Sequence, residues 1–271
     1  MAAPIETISG PAGEVRSFTT AGGGTALSST AVLLPLPLNT RGITLTPRNF
    51  SGAAVVRWAK NPFLTVLITS DAGVSFTDLS AVVQDFSNSG VATLNSFDTL
   101  ANGDAIYIGS HEQFRGVRVD VTNTNSSASV LTVEYWNGSA WVTASATDGS
   151  DNGGATFGVD GNVTWTVPTD WTRGLLSTIL GVSTTVTGGI RLAEDLFWTR
   201  WKVSAAFDAT VTVANLLALN RSTAYAEMVQ GQAWEEHVNW GADGYGCIEA
   251  LTDAGTANLI GMAETRGGRF T

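Results

Sequence analysis

The chain has 271 residues, of which only 14% are charged, and its formal net charge is −10 with a pI near 4.5. This length suffices for two cores of ordinary size or for one large sandwich. Lys60 and Lys202 are the only lysines, and the sequence argues against a nucleic-acid partner because binding to phosphate backbones requires a concentrated positive surface.

Cysteine content and hydropathy indicate the compartment. Cys247 is the single cysteine, so an intrachain disulfide is impossible and packing must hold the fold. The N-terminus has neither a basic start nor an apolar run, and the most apolar stretch, residues 32–38, is broken by Pro35 and Pro37. We therefore expect no signal peptide, no membrane span and assembly in the cytoplasm.

Residues 1–30 are rich in Gly, Ala, Ser and Thr and show no regular apolar period. This composition is typical of an extended arm rather than of a core element. An arm of this kind becomes ordered when it lies across a neighbouring subunit. The candidate contacts of such an arm are Glu14, Arg16 and Phe18.

Residues 31–100 are predicted to form a first β lobe. Strand-like alternation occurs at residues 43–46, 54–58 and 64–69, each bounded by Pro, Gly or Asn. Three strands in close succession predict an antiparallel meander. The weakly periodic stretch that follows places the lobe boundary near residue 100.

Residues 101–219 are predicted to form a second lobe, a sandwich or jelly roll, because about seven strands occur at the spacing of that architecture. The strands are expected at residues 105–108, 117–121, 130–136, 141–144, 163–167, 197–204 and 210–214.

The segment 220–271 is predicted to be irregular, with a helical turn at residues 224–229 and a closing hairpin of residues 246–250 against 257–263. These last strands could complete the first lobe. The fold class is therefore all-β, with two sandwich or jelly-roll lobes, an extended N-terminal arm and an irregular C-terminal hairpin segment.

A hairpin is predicted where Trp136 and Trp141 flank a loop at residues 137–140, since the two indoles then face each other across the strands. One interpretation is a rigid edge of the core, which the frequency of buried aromatics favours. The other is a platform that stacks a sugar or a side chain of a partner. Trp234, set among Gly and acidic residues, is a second candidate for such a contact.

Acidic residues follow this hairpin in a Gly-rich loop, but the spacing of a Ca²⁺ motif is missing because Val159 stands at the twelfth position from Asp148. An ordinary turn is favoured over a metal site. The carboxylates and amide in question are Asp148, Asp151, Asn152 and Asp160. A further turn, residues 69–76, resembles the Asp-box hairpin, in which the carboxylate, here Asp71, has a structural role.

Catalytic residues are not predicted. His237 and Cys247 form a conceivable pair, but neither residue lies in a nucleophile elbow or at a helix start. A carboxylate pair of the glycosidase type would be sought at Glu134 or at Glu235 and Glu236, beside the tryptophans. No cofactor motif is present, and we expect a protein that is not an enzyme and binds neither cofactor nor metal.

Four stretches, residues 106–110, 114–117, 131–142 and 163–171, resemble a jelly-roll module of structural proteins in tailed bacteriophages. The resemblance covers about residues 104–215, and residues 197–201 resemble the strand that closes its sheet. In such modules the aromatic hairpin, the Asp/Gly loop and the strand "TWTVP-DW" are framework. Similar modules occur in capsid decoration proteins and in tail and baseplate components.

The resemblance implies a non-catalytic virion protein, assembled in the host cytoplasm. The leading expectation is a capsid decoration or cement protein that binds the major capsid protein as a homo-oligomer, a trimer, and stabilises the outer shell. The alternative is a tail or baseplate protein that binds host surface glycans through Trp136, Trp141 or Trp234. A polysaccharide-degrading enzyme is the third class considered.

Overall fold

The computed structural model describes residues 8–10, 13–19, 24–37, 40–84, 91–94, 97–222, 224–229, 232–237 and 244–265. Strands account for 52% of the structure and helices for 6%. The predicted all-β fold class is therefore confirmed. The chain is divided into two compact units, one made of residues 1–61, 85–87 and 222–271 and the other of residues 62–84 and 88–221.

The described strands of the chain are short, and most are bounded by turns. In chain order they are β1 (Ile8–Gly10), β2 (Gly13–Ser17), β3 (Thr25–Leu27), β4 (Val32–Pro35), β5 (Thr40–Ser51), β6 (Val56–Pro62), β7 (Thr65–Ser70), β8 (Thr77–Asp78), β9 (Ala92–Thr93), β10 (Asp104–Ser110), β11 (Phe114–Asn123), β12 (Leu131–Trp136), β13 (Trp141–Thr143), β14 (Thr147–Asp148), β15 (Gly161–Thr164), β16 (Arg173–Leu175), β17 (Asp195–Val203), β18 (Thr212–Asn220), β19 (Ala226–Met228), β20 (Trp234–His237), β21 (Tyr245–Thr252) and β22 (Thr256–Thr265). The helix α1 spans Leu176–Leu180, and 3₁₀ turns span Leu100–Asn102 and Gly189–Ala193.

The first unit is a sandwich of two antiparallel sheets. Among the described residues, one sheet has six strands in the order β1-β2-β22-β5-β20 with β3 also on β22, and the other has four in the order β19-β6-β21-β4. Apolar side chains from both sheets meet in one core, as expected where the inner faces of two sheets interdigitate. Its members include Leu27, Ile43, Leu45 and Leu259 from the six-stranded sheet, and Leu34, Val56, Trp58 and Ile248 from the four-stranded sheet.

The described parts of residues 1–30 belong to this sandwich, contrary to the predicted arm. Strand β2 pairs with β22, with Glu14 opposite Thr265 and Arg16 opposite Ala263. Phe18 is 1% exposed, and its backbone N–H donates to the carbonyl of Gly261 at 3.0 Å. The expectation that Phe18 contacts a capsid subunit is wrong, because the ring lies in the core of its own chain. Predictions about the side chains of Glu14 and Arg16 lie outside what the structure describes.

Gly261 explains how this ring is accommodated. A Cβ atom added at Gly261 would lie 2.4 Å from Cζ of Phe18, so the ring packs directly on the backbone of β22. Any side chain at this position would displace the ring. The sequence did not predict that Phe18 is buried. Residues 1–30 contain few apolar side chains, and a single Phe among small residues gives no periodic signal.

The second unit is also a sandwich. Its described strands form a seven-stranded sheet, in the order β13-β12-β17-β10-β7-β8 with β16 also on β17, and a five-stranded sheet in the order β14-β15-β11-β18-β9. Each of the seven strands predicted between residues 105 and 214 overlaps an observed strand. The main core lies between the sheets and includes Val66, Ile106, Val133 and Trp201 on one side and Val117, Val163 and Val213 on the other.

The opposite face of the seven-stranded sheet is covered by a smaller cluster. Leu67, Tyr107 and Trp198 on the sheet belong to it together with Leu176 of α1 and Leu192. The sheet is therefore buried on both faces over part of its width, and this explains the largely buried pattern of β10.

Several sequence-based pairings differ from those observed. Strands β5, β6 and β7 lie in three different sheets rather than in one meander, and β7 pairs with β10, with Ile68 opposite Ile106. The boundary between units therefore falls at residues 61–62, not near residue 100. Alternation identifies a strand and its buried face, but it carries no information about the partner strand.

The C-terminal segment also differs in its pairing. The turn before Thr256 is present, with Gly255 at φ 67°, but β21 lies in the four-stranded sheet and β22 in the six-stranded sheet. The segment is thus an arch between sheets instead of a hairpin. The helical turn expected at residues 224–229 is wrong, because β19 occupies residues 226–228.

We predict that Phe18→Ala lowers the free energy of unfolding of the first unit by about 3–5 kcal/mol, because it leaves a cavity over Gly261. Chemical denaturation followed by circular dichroism measures this loss. Val229→Ala, at a side chain that is 47% exposed, is the control and should change stability by less than about 0.5 kcal/mol. Equal stability of the two variants would contradict the core position of Phe18.

Candidate functional site

The aromatic hairpin predicted from the sequence is present. In β12 and β13, Trp136 lies opposite Trp141, and the ring centroids are 5.6 Å apart at 64°. The loop is closed by Asn137, whose Oδ1 accepts hydrogen bonds from the backbone N–H groups of Ser139 at 3.0 Å and Ala140 at 2.9 Å. Gly138 adopts φ 97°, a conformation that favours glycine.

Both hairpin indoles are already in contact with neighbouring groups of the same unit. The guanidinium carbon of Arg200 lies 4.9 Å from the ring centroid of Trp141, and the ring of Tyr107 lies 5.9 Å from it. The indole Nε1 of Trp136 is 3.7 Å from the position that a Cβ at Gly174 would occupy. Both rings are half-buried. These contacts favour a framework role for the hairpin.

Glu134, beside the hairpin, is the centre of a buried ion network. Its carboxylate accepts hydrogen bonds from Nε of Arg200 at 2.8 Å and from Nζ of Lys202 at 2.6 Å, and the residue is 7% exposed. Burial acts to raise the pKa of Glu134, but the hydrogen bonds from Lys202 and Arg200 outweigh it and hold the pKa below its ordinary value. A carboxylate held ionised in this way suits a structural ion pair better than a general acid.

The carboxylates of the acidic loop after the hairpin accept hydrogen bonds from nearby groups, two of them within the loop and one on β11. Asp148 accepts hydrogen bonds from the backbone and hydroxyl of Ser150, Asp151 accepts one from the backbone of Gly154, and Asp160 accepts one from the backbone of Val121. Across the described ranges, no group of three or more His, Cys, Asp or Glu side chains is arranged to hold a metal ion.

The turn around Asp71 has the geometry expected from its resemblance to an Asp-box. The carboxylate of Asp71 accepts hydrogen bonds from the backbone N–H of Ser75 at 2.9 Å and from its hydroxyl at 2.5 Å. These bonds hold the pKa of Asp71 below its ordinary value. The role of this carboxylate is therefore structural.

The conceivable catalytic pair lies in two different sheets. Cys247 is fully buried in β21, while His237 belongs to β20, and the side chain of His237 lies outside the described residues. Of the acidic pair beside Trp234, Glu235 is exposed and lies opposite Thr44, and the side chain of Glu236 is likewise outside the described residues.

Trp234, a candidate contact residue from the sequence, lies in a site whose other members the sequence did not reveal. Its ring meets that of Trp58 with centroids 4.2 Å apart at 51°, although the two residues come from β20 and β6 in different sheets. Trp58 is 5% exposed and Trp234 is half-buried. A cavity of about 350 Å³ lies against this pair, lined by Trp58, Ala226, Glu227, Met228, Gln232, Ala233 and Trp234. We call it the tryptophan cavity.

Charged groups surround the tryptophan cavity. Glu227 forms an ion pair with Arg57 at 2.9 Å, and Arg57 also lies 3.3 Å from Asp253. The ammonium of Lys60 is 4.6 Å from the ring centroid of Tyr245 and 5.9 Å from that of Trp234, within the range of a cation–π interaction. The apolar alternation of the sequence places Trp58 on a strand. It gives no indication that Trp58 contacts Trp234, which lies in another sheet.

None of the helices in the described ranges is long and apolar enough to cross a membrane. Comparisons of the chain with protein-family models, with curated proteins and with solved structures found no match.

We predict that Glu134→Gln lowers the free energy of unfolding at neutral pH by about 2 kcal/mol, because Arg200 and Lys202 lose their charged acceptor. Since the pKa of Glu134 is lowered in the folded state, the stability it supplies is present above its ordinary pKa and is lost as the pH falls through the folded-state value. The difference between wild type and variant should therefore shrink on acidification.

Urea denaturation at a series of pH values between neutral and strongly acidic measures this difference. The exposed residue Glu112 supplies the control, and Glu112→Gln should match the wild type at each pH. A wild-type advantage over Glu134→Gln that stays constant down to strongly acidic pH would contradict the proposed ion network.

Proposed function

We propose that this protein is a non-catalytic structural protein of a phage virion, a decoration or cement protein that binds the major capsid protein and stabilises the outer shell. In this proposal it assembles in the host cytoplasm and binds the shell as a homotrimer. The sequence resemblance over residues 104–215 supplies the virion setting. The structure supports a scaffold role for that region through the way its motif residues are used.

The observation that carries the proposal is the burial of these motif residues in the framework. Trp165 and Trp171 pack on Phe114 with ring centroids 5.5 Å and 5.2 Å away. Indole Nε1 of Trp171 donates to the carbonyl of Trp198 at 3.1 Å, and the hydroxyl of Tyr135 donates to Asp170 at 2.9 Å. The polar groups of Trp171 and Tyr135 thus fix loops and strands, as expected of a rigid docking module.

The N-terminal segment could attach the protein to the capsid through an edge strand instead of a free arm. Phe18 and β2 belong to the sandwich, whereas β1 (Ile8–Gly10) is the outermost strand of the described six-stranded sheet. An outer strand presents backbone groups on its free side, where a strand from another chain can pair. In the proposal, a capsid subunit adds a strand at β1.

Deletion of residues 1–12 tests this attachment, because it removes β1 and retains β2 and Phe18. We predict that the deletion weakens binding to purified capsids that lack the protein by at least about tenfold, as measured by co-sedimentation, while the denaturation midpoint of the free protein stays unchanged. Removal of residues 266–271 is the matched control and should leave occupancy intact. Full occupancy by the protein that lacks residues 1–12 would count against attachment through β1.

A tail or baseplate protein that binds host surface glycans is the second candidate function. The tryptophan cavity is the specific observation in its favour, since it combines aromatic and polar side chains at a surface depression. Immunogold labelling of intact virions separates the two candidates by location. Label on the head supports the first, and label confined to the tail supports the second.

A further inference from the structure

We infer that the tryptophan cavity of the first unit is a binding site for a neutral sugar unit of a polysaccharide. The inference does not depend on attachment to capsids, and it supplies a site for the second candidate function. It is based on the aromatic pair, the polar groups that line the cavity, and the charge around it.

The aromatic pair provides a wall for the apolar face of a sugar ring. Trp234 is half-buried and lines the cavity, and its contact with Trp58, with ring centroids 4.2 Å apart, supports it from within the unit. The two rings are carried by strands of two sheets, β20 and β6. A ring held between two sheets loses little conformational freedom on binding, and preorganisation of this kind improves affinity.

The polar lining supplies hydrogen-bonding groups of two kinds. Glu227 is exposed, and its carboxylate, of which Oε1 pairs with Arg57 at 2.9 Å, has further lone pairs that accept hydrogen bonds from hydroxyl groups. Gln232 is exposed and carries an amide that can donate and accept, and its Oε1 accepts from the backbone N–H of Val229 at 3.2 Å, which leaves the amide NH₂ group pointing away from that bond. A sugar ring has an apolar face of C–H groups and hydroxyl groups at its edge. The aromatic wall matches the face, and the donors and acceptors beside it match the hydroxyl groups.

The size of the cavity limits the ligand. A volume of about 350 Å³ is near the lower end of the range of about 300–1,000 Å³ for small-molecule sites. The remaining lining is apolar or small, with Ala226, Met228 and Ala233. A single saccharide unit of a chain is therefore a better match than a peptide segment or a large cofactor.

The charge of the lining disfavours acidic sugars. Glu227, which is paired with Arg57 at 2.9 Å, is the one charged side chain among the described residues that line the cavity, so the lining itself offers no cation to a uronic acid or sialic acid. Lys60 lies close to Tyr245 and Trp234 but is not part of the cavity lining. Neutral hexoses and N-acetylhexosamines are the expected class.

The hairpin tryptophans are the competing location. Trp141 contacts Arg200 and Tyr107, and Trp136 packs against Trp141 with ring centroids 5.6 Å apart. These contacts engage the two rings within their own unit. The experiment therefore compares the tryptophan cavity with the hairpin directly.

The test uses the full chain on an array of neutral and acidic bacterial surface polysaccharides, followed by calorimetric titration with the best neutral oligosaccharide. We expect binding of neutral polysaccharides, with an affinity reduced at least about tenfold by Trp234→Ala. Glu227→Ala and Gln232→Ala should each reduce it by about threefold to tenfold, the loss expected for one hydrogen bond. Trp136→Ala is the matched control and should bind as the wild type.

Glu227 and Gln232 have exposed side chains, so their variants should fold even if Trp234→Ala does not. Absence of binding to every neutral polysaccharide on the array would overturn the inference. So would stronger binding of acidic polysaccharides, or a loss of affinity in Trp136→Ala with none in Glu227→Ala and Gln232→Ala. Each of these results would leave capsid occupancy, and thus the first proposed function, unaffected.

Discussion

The backbone pairing of β22 is the constraint on which the first unit depends. This strand pairs with β5 along most of its length and also with β2 and β3. Residues near 45 are thereby joined to residues near 260, so the second unit is an insertion within the first. Pairing between segments so far apart in sequence requires a large loop to be closed before any contact is gained. The compact second unit shortens that loop by folding within it.

The buried carboxylate of Glu134 is paired with two cationic side chains. Glu134 on β12 is held by Arg200 and Lys202, both on the neighbouring strand β17 of the seven-stranded sheet. A buried carboxylate without these cations would be costly, and with them it fixes the register of β12 against β17. The same guanidinium lies over Trp141, so the ion network and the aromatic hairpin stabilise each other. This coupling explains why the hairpin behaves as framework.

The sequence was sufficient to predict individual strands and the aromatic hairpin. It was insufficient to predict how those strands pair into sheets. The Trp136–Trp141 hairpin and the seven strands predicted between residues 105 and 214 follow from alternation and turn residues, because these signals act over a few positions. The sheet to which β21 and β22 belong, the partner of β7 and the contact between Trp58 and Trp234 all depend on residues far apart in the chain. Phe18 was missed because one aromatic residue among small ones produces no period.

The position of β22 has a consequence for synthesis. Because β22 is translated after all other described strands, the six-stranded sheet lacks its central partner until the ribosome has passed residue 265, whereas the second unit is complete once residue 221 has emerged. A prematurely terminated copy would therefore carry a finished second unit joined to an open first unit with bare apolar side chains. Proteases and chaperones remove such incompletely folded copies.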